Sequence, residues 1–179
     1  MGTYVDAAFG HSGDLDQVFK IGTWLIEREG FRPNADAGCP EFSRAALQAA
    51  WESPSLIRNH LILESDQFLL WLYARGGKLH HVEVRWWAFA QNGLMDSGLG
   101  RDAVRERSRS IASRFQGDRI LYIPDSRGIN RLCDKVGIDE EEADLREHSG
   151  PPADWNEEVT DDNLRGKWFR EELPGSLRI

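Results

Sequence analysis

The residues of this chain best equipped for chemistry are a few histidines, two cysteines and a row of arginines, and none of them stands in a pattern that defines a reaction. His80 and His81 are adjacent. On a strand, neighbours point to opposite faces, so the pair cannot chelate one ion together. Zinc needs three or four convergent ligands, and no HExxH, CxxC or HxH spacing occurs. His81, Glu83 and Arg85 would share one strand face, which allows a carboxylate-tuned histidine to move a proton. The same alternation also describes an ordinary half-solvated sheet face. Cys39, in Gly38-Cys39-Pro40, precedes a helix that could lower its thiol pKa, but no dedicated base accompanies it. Cys133 falls on an apolar helical stripe and reads as core. Gly10-His11-Ser12-Gly13 lacks the GxSxG elbow, and neither GxGxxG nor GxxxxGK[ST] is present. We therefore assign no catalytic residue, no metal site and no cofactor from the sequence. If the chain is an enzyme, the stripe His81, Glu83 and Arg85 is its expected site, acting on a small molecule.

The arginines Arg101, Arg105, Arg107, Arg109 and Arg114 lie on one helical segment behind Gly98 and Gly100. They could bind a phosphate or nucleic acid. They could equally belong to a solvated helix, with Asp102 and Glu106 interspersed, that pairs with the chain's own acidic end. That end is the most uneven feature of the sequence. Residues 1–137 hold 17 Lys/Arg and 17 Asp/Glu, whereas residues 138–179 hold 5 and 13, so the whole net charge of −8 sits in the C-terminal segment. Phosphate would be repelled there, and a basic protein attracted. Trp155 and Trp168 are interleaved with the acids Glu157, Glu158, Asp161 and Asp162. Large aromatics are costly to leave in water, so they either dock on the core or meet a partner.

The elements that must position these groups read as follows. Thr3 to Phe9 is a short strand. Asp14 or Asp16 caps a helix carrying Leu15, Val18, Phe19, Ile21, Trp24 and Leu25, which Gly30 stops. Phe31 to Pro40 is a loop, and Glu41 to Trp51 an alanine-rich helix. His60 to Glu64, Phe68 to Ala74 and Leu79 to Phe89 form an antiparallel three-stranded meander with a turn at Gly76-Gly77. That turn would set Tyr73 opposite His80, Trp71 opposite Val82 and Leu69 opposite Val84, sharing a face with Trp86. Asn92 to Gly100 is a glycine-rich loop. Asp102 to Phe115 is amphipathic, with Val104, Ile111, Ala112 and Phe115 inward. Arg119 to Ile123 is a strand, Ile129 to Val136 a helix and Asp139 to Glu147 an acidic helix, and the remaining C-terminal residues are expected to be α-rich. The fold class is α+β: helices packed on a mainly antiparallel sheet.

With 179 residues, 40% hydrophobic, a single domain spanning 1–179 with a sizeable core is expected. Met1 to Gly10 carries no basic start or long apolar run, and no segment approaches the length of a membrane span. The two cysteines lie far apart, as reduced thiols would. We expect a cytoplasmic protein with no membrane partner.

The hairpin Phe68–Phe89 with Trp86-Trp87, the segment Ile120–Ser126 and the acidic end together resemble the immunity proteins of bacterial polymorphic-toxin and contact-dependent systems. The resemblance implies a small acidic protein without an active site that masks a toxin domain. The expected function is a non-enzymatic, partner-binding one, with Trp155, Glu157, Glu158, Asp161, Asp162 and Trp168 occluding a basic cleft.

Overall fold

The computed structural model describes residues 5–11, 13–36, 38–54, 60–66, 68–75, 78–86, 98–124, 137–154 and 167–173. Its strands are β1 (Val5–Phe9), β2 (Arg32–Pro33), β3 (His60–Glu64), β4 (Phe68–Arg75), β5 (Lys78–Trp86), β6 (Arg119–Pro124) and β7 (Phe169–Glu172). The described helices are α1 (Leu15–Glu29), α2 (Arg44–Glu52), α3 (Gly98–Arg114) and α4 (Ile138–Ser149). The fold is α+β. The seven described strands form one sheet in the order β2-β3-β4-β5-β1-β6-β7, every neighbouring pair antiparallel.

Alternation along the strands divides the sheet into two faces. Val5, Ala7 and Phe9 of β1 point to the same side as Val82 and Val84, Leu70 and Leu72, and Ile120 and Tyr122. This face meets Val18 and Leu25 of α1, Leu47 of α2, Val104, Ile111 and Ala112 of α3, and Phe115 just beyond it in the main core. Each fully buried leucine there contributes about 1.5–3 kcal/mol of burial. The opposite face carries a smaller, separate cluster of Ala8, Leu121 and Ile123 beneath Leu145 and Ile138 of α4, completed by Trp168.

The local signals act as expected at several points. Asp14 accepts from the Gln17 N–H at 2.9 Å, and its own N–H donates to Gln17 Oε1, a reciprocal cap. Gly30 ends α1 at φ 72°, where a side chain would be strained. The meander β3-β4-β5 is present, and the inward stripe of α3 is buried.

Four readings need correction. The register across β4 and β5 is Tyr73 opposite His81, Trp71 opposite Glu83 and Leu69 opposite Arg85. Next to the turn, Ala74 pairs with Leu79 as expected, but the register shifts between Tyr73 and Ala74. This bulge gives β5 one extra residue and turns every partner beyond it to the other face. Leu70 and Leu72, not Leu69 and Trp71, therefore share the helix-covered face with Val84 and Val82. The expected loop after α1 contains β2, an edge strand short enough to tolerate Pro33. The glycine-rich loop is already helical from Gly98. Finally, Phe169–Glu172 is a strand, so the acidic end is not uniformly helical. The expected helix at 129–136, with Cys133, and the turn at Gly76-Gly77 lie outside the described residues.

Candidate functional site

The acidic end is built around α4 and β7. Asp139, Glu140 and Glu141 occupy the first turn of α4 and Arg146 and His148 the last, the arrangement the helix dipole favours. Gly150 follows at φ 79° and turns the chain toward the sheet edge. There the Ala153 N–H donates to the Trp168 carbonyl at 2.8 Å, and Ala153 bridges Phe169 in parallel. Ala153 and Trp168, the residues that bracket the acidic segment 154–167, are thus hydrogen-bonded to each other. Trp168 is fully buried, its Nε1–H donates to the Gly150 carbonyl at 3.0 Å, and the Arg146 guanidinium lies 5.6 Å from its ring centroid.

Of the six residues expected to face a partner, the structure thus places Trp168 in the core, under α4. The sequence left core docking and partner contact open for it; buried apolar area and a satisfied indole N–H decide for the core. Trp155, Glu157, Glu158, Asp161 and Asp162 lie outside the described residues.

Two ionic clusters flank β7, one on each face. On the main-core side, the buried Glu171 accepts from Arg105 Nε at 3.1 Å, from Arg109 Nε at 2.7 Å and from the Tyr122 hydroxyl at 2.9 Å. Burial alone would raise the Glu171 pKa, but the hydrogen bonds from Arg109, Arg105 and Tyr122 outweigh it and hold the carboxyl below its ordinary value. Burial, reinforced by the Glu171 charge, raises the Tyr122 phenol pKa far above its usual range and keeps it a donor. On the α4 side, Glu142 accepts from Arg146 at 2.8 Å. Arg119 and Arg170 place Nε 2.8 and 3.0 Å from the same carboxylate, without the alignment of a hydrogen bond, so these contacts are ionic. Glu142 also titrates below its ordinary value: burial opposes ionisation, and its arginine neighbours overcome it.

The arginine row is largely spoken for. Arg105 and Arg109 hold Glu171. Arg107 pairs with Glu29 and sits 5.7 Å from the Phe68 ring centroid, and Arg114 lies 3.4 Å from that of Trp24. The pairing of this helix with the chain's own acidic end is therefore realised, and four of the five arginines have intramolecular partners. The Arg101 side chain lies outside the described residues.

The polar stripe of β5 gains a member that the sequence reading passed over. Backbone register sets Asp6 of the central strand opposite Arg85, and Ala8 opposite Glu83, on the face away from α1–α3. Asp6 is buried, 3% exposed. The signal was a carboxylate between Val5 and Ala7 in an otherwise apolar strand. Elsewhere, Cys39 is buried, with Sγ 3.4 Å from the Glu41 carbonyl. His11 donates Nδ1–H to the Phe115 carbonyl at 2.8 Å, and burial lowers its pKa despite that bond. Among the described residues, no group of three or more His, Cys, Asp or Glu could hold a metal, and no helix is long and apolar enough to cross a membrane. Comparison with known protein families, curated proteins and solved structures finds no match.

Glu171→Gln is expected to lower the unfolding free energy at pH 7 by about 1.5–3 kcal/mol, the usual worth of hydrogen bonds to a charged group. Because the folded-state pKa is depressed, this stabilisation is complete above the ordinary carboxyl value of 4.5 and is lost as pH falls through the folded value. Urea unfolding between about pH 3 and 7 should therefore show the variant's curve flatter than that of the wild type, the two converging in acid.

Proposed function

We propose that the chain is a non-enzymatic binding protein that masks a basic surface of a protein partner, in the manner of the immunity proteins it resembles. The masking groups are Glu157, Glu158, Asp161 and Asp162, with Trp155 as the apolar anchor. Trp168, being buried, takes no part in the contact. The observation that carries this reading is that Ala153 and Trp168, which bracket the acidic segment, are hydrogen-bonded to each other, with Trp168 buried in the core. Tethering both ends of an acidic segment at one point limits the entropy that docking must remove. Residues 154–167 hold five acids and two bases, so the segment would steer a basic partner. Reversing all four masking carboxylates to lysine should weaken binding to the isolated partner at least tenfold and flatten its dependence on salt between 50 and 300 mM, as in any charge-steered association. Unchanged affinity in a folded quadruple variant would remove this surface from the reading.

A second reading is favoured by one observation, the burial of Asp6 opposite Arg85. With His81 and Glu83 they would form a polar site for a small molecule on the second sheet face, whether for binding or for proton transfer. A thermal-shift screen with small polar metabolites tests it. A compound that stabilises the wild type and neither folded Asp6→Asn nor His81→Ala supports the site. Equal stabilisation of all three proteins contradicts it.

A further inference from the structure

The arrangement around β7 differs in kind from the rest of the fold. We infer that α4 and β7 form an acid-releasable strap, which undocks from the sheet as a unit while β1–β6 and α1–α3 stay folded. The inference does not rest on the binding reading.

Three observations carry it. The first is packing: Leu145 and Ile138 of α4 and Trp168 meet Ala8, Leu121 and Ile123 in a cluster separate from the main core, and the β7 segment adds only Phe169 and Leu173 to the main core. A small satellite cluster is the kind of unit that opens before the whole domain does.

The second is that opposite charges pin β7 from opposite faces. Glu171 points to α3 and is held by Arg105 and Arg109. Its neighbour Arg170 points to α4 and is held by Glu142, with Glu172 beside it. From β6, Arg119 meets Glu142 and also Asp118 and Asp139, and from α4, Arg146 meets Glu142.

The third is the charge balance. The clamp contains five arginines and the five carboxylates Asp118, Asp139, Glu142, Glu171 and Glu172. Arginine does not deprotonate, so acid neutralises only one side. Two cations that shared Glu171 and three that shared Glu142 are then left without their counter-charge, and two of them are poorly solvated: Arg119 and Arg170 are 12% and 26% exposed. α4 also carries the buried Glu141, and His148 lies 3.4 Å from Asp144 on the same helix. Tyr122 remains a neutral donor throughout.

Three ion pairs elsewhere in the fold tie other elements together. Asp16–Arg44 is exposed on both partners, Glu64–Arg32 joins two strands at the β2 edge, and Glu29–Arg107 joins α1 to α3 inside the unit that stays. The main core that joins β1–β6 to α1–α3 is built of apolar contacts and does not depend on these carboxylates.

Hydrogen exchange of the full wild-type chain, read by mass spectrometry at pH 7 and about pH 3 and corrected for intrinsic rates, tests the strap. Amides of α4 and β7 should lose protection together, at least tenfold, on going to the acid condition, while those of β1 and β4 keep theirs. Two outcomes would overturn the inference: α4 and β7 as protected as β1 in acid, or all elements losing protection in one step. Because the experiment needs no substitution, no variant's failure to fold can obscure it. As a second arm, folded Glu142→Gln/Glu171→Gln should show the release already at pH 7. Wild-type protection in that variant would contradict the role of the clamp.

Discussion

Glu171 and Arg170 are neighbours on β7, and because successive strand residues face opposite ways, each reaches a different helix. Glu171 turns toward the arginines of α3, and Arg170 toward Glu142 of α4. A strand of four residues offers few ladder hydrogen bonds and stands at the sheet edge. What secures it is this crossed pair of ionic contacts, together with the burial of Trp168, Phe169 and Leu173. The separate cluster beneath α4 and the hydrogen bond between Ala153 and Trp168 both depend on β7 staying where it is.

The same contacts explain how an overall charge of −8 coexists with a helix crowded with arginines. Two of those arginines neutralise a buried carboxylate of the acidic end, another pairs with α1 and a fourth stacks on Trp24. These basic groups are thereby engaged within the molecule instead of being left for phosphate. Five carboxylates near the sheet edge are engaged in turn. Residues 138–153 carry −5 of the C-terminal charge and residues 154–167 carry −3, and at the latter segment the binding reading places the partner.

Much of the main fold could be read from the sequence, because its signals are local. The Asp14 cap, the Gly30 stop, the inward stripe of α3 and the meander each depend on residues a few positions apart. The errors arose where a distant or single-residue effect decides. One bulged residue beside Ala74 reverses the facing of β4 against β5, and no periodicity announces it. Phe169–Glu172 lacks strand-like alternation in its residue types and becomes a strand because β6 offers an edge. Of the candidate site, the charge asymmetry and the pairing of the arginine helix with the acidic end were visible. The burial of Trp168 was one of two open alternatives, decided by Gly150 and α4. Asp6 went unnoticed because a lone carboxylate in a strand acquires meaning only from its cross-strand neighbour.

The central claim is that the Glu171–Arg109 contact couples β7 energetically to α3. A double-mutant cycle with Glu171→Gln and Arg109→Met, measured by urea unfolding at pH 7 and repeated in about 0.5 M salt, reads that coupling directly. The account predicts an interaction free energy of about 1–3 kcal/mol that largely survives the salt, because Glu171 is buried. Additive effects within a few tenths of a kcal/mol, or a coupling abolished by salt, would mean that the pair is a surface contact and that β7 is held by its apolar residues alone.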